Sequence, residues 1–374
     1  MKRLFVILII TFLVLNSPFK ACAAQSDSLA SDYGADNIID SLPDEAKDSL
    51  SSIGLNGLDI NALSNLSFDK IFGELFNSAA KSGKAPVGAL AVIIAVMLLY
   101  SLIYGIRNSF DNNSLQQVMS VCLTLCVTGA ITAPVISVIQ SGISVITIAA
   151  NFMLAYLPVM LAVMTAAGNG ASGGSYYALM TFAGEIVSQA GSNIISPFLK
   201  IFLGLSVASA VSPNVNLGGF IKFISKLCKW LLGFVMTIFT GVLTLRQLVS
   251  SGLDSVTTRA VKFTISSLVP VVGAALSEAY KTVRGSVGLL RSGIGVFALI
   301  AVIVVFAPVI IQCLWWMLVL WASKAAGELM GLKEICFLFE SVSGVVTLIM
   351  AILLCVAAVF IISTSTVLIL GGSG

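Results

Sequence analysis

From Pro86 onward the chain is written as long apolar runs separated by short polar stretches, at 86–104, 117–139, 143–166, 194–212, 230–249, 296–320 and 342–370. Each run is long enough to cross about 30 Å of hydrocarbon as a helix, which takes about 20 residues. Lipid offers the backbone no hydrogen-bond partner, so an apolar crossing has to be helical. Two further stretches are ambiguous. The segment SYYALMTFAGEIVSQAGSN, 175–193, carries Glu185 in its middle. The other, Phe263 to Ser277, lies between Lys262 and Glu278. As a helix it reaches only about 22 Å, and Pro270 and Gly273 interrupt it. That combination predicts a broken or re-entrant element buried within protein, where free backbone groups find partners. The pattern as a whole predicts an all-α polytopic membrane protein with seven to nine spans, one or two of them broken or re-entrant. Lys and Arg in short loops tend to stay cytoplasmic, and letting both ambiguous segments cross puts Lys222, Lys226, Lys229, Lys281, Arg284 and Arg291 on that side.

The N-terminus reads differently. Lys2 and Arg3 precede an apolar run from Leu4 to Leu15 and a small-residue exit at Ala21-Cys22-Ala23-Ala24, the three parts of a secretory signal peptide. Residues 1–24 are therefore expected to be a removable signal, 25–84 an extracytoplasmic segment and 85–374 the membrane domain. The middle segment holds ten acids against four lysines, a net charge of −6, which disfavours anionic lipid and nucleic acid as partners. Pro43 followed by Asp44 and Glu45 reads as a helix start. Further on, Phe68, Ile71, Phe72, Leu75 and Phe76 recur at helical spacing and form one apolar stripe, ending near Gly83. Such a stripe suits either the protein's own membrane domain or a docking partner.

Composition narrows the chemistry. The 374 residues are 58% hydrophobic and 10% charged, with a mean hydropathy of +1.04, outside the range of soluble domains. There is no histidine, which removes the commonest general base and metal ligand together. The seven cysteines contain no Cys-x-x-Cys pair and read as small buried hydrophobes. Gly168-Asn169-Gly170-Ala171-Ser172-Gly173-Gly174-Ser175 is glycine-rich but lacks the lysine of a phosphate loop. No catalytic residue, metal site or cofactor is expected. Trp230, Trp315, Trp316 and Trp321 read as headgroup anchors near span ends. Charges inside apolar sequence mark function more often than charges at helix ends. Glu185 and Lys200 have apolar sequence on both sides and could pair across a helical hairpin or line a wet path. Lys262, Pro270, Gly273 and Glu278 are the further candidates for a path or a structural role.

The run NFMLAYLPVMLAVMTAAG, 151–168, and the stretch from Lys229 to Leu290 that includes Lys262-Phe263 and Pro270-Val271-Val272-Gly273 give the chain a pattern that resembles the stage III sporulation protein AE family of endospore-forming bacteria. The resemblance covers nearly all of the chain. It implies a multi-pass membrane component of a channel-like complex between mother cell and engulfed forespore. It also implies partners: sibling stage III sporulation membrane proteins and a cytoplasmic secretion-type ATPase. The family has no assigned catalytic residues, which suits a chain with neither histidine nor phosphate loop. The alternative reading is a stand-alone secondary transporter of a small solute, with Glu185 and Lys200 as its coupling pair. If the Pro270 to Gly273 break matters, Pro270→Leu combined with Gly273→Leu should abolish function while membrane insertion is retained. Normal spore yield from the double mutant would reduce the stretch to an interfacial anchor.

Overall fold

The computed structural model describes residues 36–55, 62–63, 68–107, 113–211, a set of helical positions between 219 and 241, and 273–371. Among these residues there is no strand. Two short helices, α1 (Asp36–Asp40) and α2 (Asp44–Ser52), precede α3 (Phe68–Arg107), α4 (Asn113–Ala166) and α5 (Gly170–Gln189). A π-helical segment (Ala190–Ile195) joins α5 directly to α6 (Ser196–Val211), and two long helices close the fold, α7 (Gly273–Leu329) and α8 (Lys333–Gly371). Among the described residues four helical windows are long and apolar enough to cross a membrane: Asp69–Leu99, Val121–Ala166, Leu290–Leu329 and Ile335–Ser365, with Asn193–Ser209 as a shorter apolar helix. The expected helical membrane architecture is therefore present.

Three turns close in the same way. At Gly54, Gly168 and Gly331 the chain enters the left-handed region, with φ of 94°, 82° and 73°, where a Cβ would be penalised. In each case the next N–H reaches five residues back: Leu55 to the Leu50 carbonyl, Asn169 to Met164 and Leu332 to Gly327, all at 2.9 Å. These bonds satisfy carbonyls that a helix end otherwise leaves open. The turns at Gly168 and Gly331 fold α4 onto α5 and α7 onto α8. Near the second turn, Lys324 Nζ lies 3.0 Å from Glu340 Oε2, and farther along the same pair of helices Phe306 meets Phe360 at 6.5 Å between ring centroids. Helix α3 runs parallel to α7, because Gly83 lies against Trp315 and Met97 against Gly327.

Several sequence expectations change here. The runs 117–139 and 143–166 form one uninterrupted helix, α4, of 54 residues. Gln140-Ser141-Gly142 makes no turn, and Gly142 packs against α8, where an added Cβ would stand 2.7 Å from Ile349 Cδ1. The stripe at Phe68–Phe76 does not end at Gly83 either. It is the first part of α3, which continues to Arg107 through Pro86, a residue that removes the hydrogen bond to the Ser82 carbonyl. On that stripe Ile71 packs against the core, whereas Phe72 and Phe76 are 65% and 74% exposed. Helix α1 packs on α4, and α2 on α7 and α3, with Ile38, Leu42 and Leu50 buried.

The tryptophans also divide. Trp321 is exposed, but Trp316 is buried in the core, and Trp315 donates its Nε1–H to the Ala79 carbonyl at 2.9 Å. Trp315 is thus a lock between α3 and α7, which only a glycine at position 83 permits: a Cβ there would lie 2.7 Å from the indole. Gly83→Leu should destabilise the fold by about 1–3 kcal/mol, the usual cost of overpacking. Gly88→Leu, at an exposed position with nothing within 4 Å, should not. Thermal unfolding of the two purified variants in one detergent compares them, and equal midpoints would refute the lock.

Candidate functional site

The expected pair does not form. Glu185 lies on α5 and Lys200 on α6, with the π-helical segment between them instead of a hairpin turn. Both side chains are exposed. Glu185 instead accepts a hydrogen bond from Gln189 Nε2 at 3.0 Å. Gln189 Oε1 in turn accepts one from Asn193 Nδ2 at 2.7 Å. The result is a polar ladder at i, i+4 and i+8 along a helix whose other exposed residues include Phe182, Ile186 and Ile194. Gly273 is the first residue of α7, and Glu278 follows within its opening turns. Lys262, Pro270 and the rest of the stretch up to Val272 lie outside the described residues.

What the fold does assemble is a buried polar knot where α4, α5, α7 and α8 meet. Arg291 of α7 is only 2% exposed, and Tyr156 of α4, Tyr176 of α5 and Ser363 of α8 are fully buried. Arg291 and Tyr176 both act on the Tyr156 phenol. The Ser363 hydroxyl is shared between the Tyr176 phenol oxygen at 3.2 Å and the Met180 sulfur at 2.7 Å. Phe152, one turn before Tyr156, stacks on it at 6.4 Å. A buried cation in a membrane bundle is costly and marks function by default. Sequence reasoning used Arg291 only to orient the loops, because it stands at the edge of an apolar run, where a basic residue usually reaches into the headgroups. The missed signal was two tyrosines in apolar sequence, Tyr156 and Tyr176, which need polar company once buried.

A second polar feature lies about 15 Å along α4. Helix α2, the start of α3 and the middles of α4 and α7 enclose a half-open cavity of about 560 Å³. Glu45, Asp48, Glu74 and Lys81 stand on its polar side, and Val145, Ile148 and Val304 are among the aliphatic residues opposite. Ser82 and Val304 also line it. Their carbonyls are the two that Pro86 and Pro308 leave without an intrahelical donor.

Chemically, the knot offers hydrogen-bond donors and one positive charge, whereas the cavity offers the carboxylates of Glu45, Asp48 and Glu74 with the ammonium of Lys81. Among the described residues no group of three or more histidine, cysteine or acidic side chains could hold a metal ion. If the knot works as a unit, Tyr176→Phe and Ser363→Ala should each cost about 1 kcal/mol, and together less than their sum. Equilibrium unfolding of the single and double variants measures this. Additive losses would show that the two side chains act independently.

The comparisons with known proteins bear on the same residues. The profile of the stage III sporulation protein AE family matches residues 59–371, which contain the stripe, the ladder and the knot. The stage III sporulation protein AE of Bacillus subtilis (strain 168) is 23% identical over 221 residues, 59% of this chain and 55% of that relative. The match thus spans about half of the relative's length. No solved structure matches the chain. The family is not a known enzyme family. With a helical membrane fold and a profile match over most of its length, the chain belongs to the stage III sporulation protein AE family.

Proposed function

We propose that the protein is an integral membrane subunit of a transport assembly linking mother cell and forespore, required for late forespore development. Membership of a stage III sporulation family carries the reading, and four membrane-length apolar helices support it. In this reading it sits in the mother-cell membrane around the forespore, with its signal peptide removed and the acidic N-terminal segment outside the cytoplasm. Its partners are other stage III sporulation membrane proteins and a cytoplasmic secretion-type ATPase. An external energy source fits a chain with no phosphate loop. The exposed rings of Phe72 and Phe76 suit a partner ring on the extracytoplasmic side.

Deletion of the gene in its spore-forming host tests the role. Development should arrest after engulfment with late forespore expression lost, and sporulation at the normal level would refute it. Reconstitution of the protein alone in vesicles tests the dependence on partners. No solute flux is expected, and flux without partners would favour a stand-alone transporter.

A further inference from the structure

Helix α4 does not fit one bilayer as a straight rod. Its apolar window, Val121–Ala166, has 46 residues, about 69 Å at 1.5 Å per residue, more than twice the roughly 30 Å of a hydrocarbon core. Tilting it inside would need about 64°, against an observed range of 0–40°. Left straight, it would put about half of its apolar length into water. Both halves bury one face in the core and carry outward leucines on the other, Leu125 at 51% and Leu154 at 39% exposure.

Two independent features place a break at one level. In the sequence, Gln140-Ser141-Gly142 separates apolar runs of 23 and 24 residues, 117–139 and 143–166, each about 35 Å as a helix and thus one bilayer long. In the structure, Val145 and Ile148, three and six residues beyond Gly142, line the acidic half-open cavity together with Pro308. Pro308 is the one proline inside α7, and a helix kinks most readily at proline. The polar triplet of α4, the proline of α7 and the carboxylates of α2 and α3 therefore stand at about the same height, between two apolar layers. Gly142, tight against Ile349 and Leu353, is also the residue of the triplet best able to adopt a turn.

We propose that Gln140-Ser141-Gly142 is a hinge, and that in a single bilayer α4 folds there into two antiparallel spans. The straight helix is the alternative state of the same segment. Bending moves the polar triplet to the membrane surface and gives each apolar half a bilayer thickness of its own. It does so without breaking either half.

Distance measurement in vesicles decides the matter. The full-length chain, with its native cysteines replaced, carries spin labels at Leu125→Cys and Leu154→Cys. A straight helix holds these 29 residues apart, about 44 Å. Two packed antiparallel spans bring the helix axes to about 10 Å, and the label distance to roughly 10–25 Å. A short distance, alone or beside the long one, is the expected result. A single population near 44 Å overturns the hinge. Labels at Leu154→Cys and Phe182→Cys, each fourteen residues from Gly168 on two helices that pack on each other, should read short in either state and verify that the labelled chain is folded. Should replacement of the native cysteines prevent folding, the same pair can be bridged by a short bismaleimide in isolated membranes. A bridge within one chain supports the hinge, and its absence refutes it.

Discussion

Everything in this fold follows from a solvent that cannot hydrogen-bond. In hydrocarbon an unpaired N–H or C=O costs several kcal/mol, so the chain has to satisfy its backbone locally, and helices are the only means within one segment. The same solvent removes the usual reason for helices to associate, because lipid tails are as apolar as leucine. Association then depends on close fit. Glycine supplies that fit at four places, where an added Cβ would have no room: Gly83 on Trp315, Gly142 on Ile349, Gly173 on Leu161 and Met164, and Gly327 on Cys336. These contacts bind α3 to α7, α4 to α8, α5 to α4 and α7 to α8.

The treatment of polar side chains follows the same logic. Several hydroxyls within the described helices turn back on their own backbone, as Thr132 does to the Thr128 carbonyl, Ser206 to Phe202, Thr347 to Ser343 and Thr364 to Phe360. Such hydroxyls need nothing from a neighbouring helix. Lys324, Glu328 and Glu340 stand at the exposed end of the α7–α8 hairpin, where water screens them. Two groups escape this economy. The knot of Arg291, Tyr156, Tyr176 and Ser363 joins four helices through polar side chains, and the Glu185-Gln189-Asn193 ladder faces outward across a π-helical segment, a distortion often retained at functional positions. Both place polar groups where lipid would make them costly.

How much of this was legible depended on the range of each interaction. The class of fold was, since hydropathy is a sum over neighbours in sequence. So was the helical stripe at Ile71 and Phe72, whose spacing is local. Glu185 and Lys200 stand out in the sequence by the apolar residues on both sides of them, but their partnership assumed a turn that the π-helical segment replaces. Arg291 was passed over because burial is a property of what other helices bring. Gly83 looked like a helix end, and it became a contact surface only when Trp315, more than two hundred residues later, arrived against it.

The sequence by itself determined that this chain is helical, that it is built for a membrane and where its polar interruptions fall, because those properties rest on composition and on periodicity within a few turns. Only the tertiary structure decided which interruptions are turns and which are traversed by a continuous helix. The difference lies in packing. In this packing Gln140-Ser141-Gly142 is helical with Gly142 against Ile349, whereas at Gly168 the chain turns as its N–H and that of Asn169 close the end of α4. A polar triplet and a glycine-rich stretch look alike along the chain, and distant side chains tell them apart.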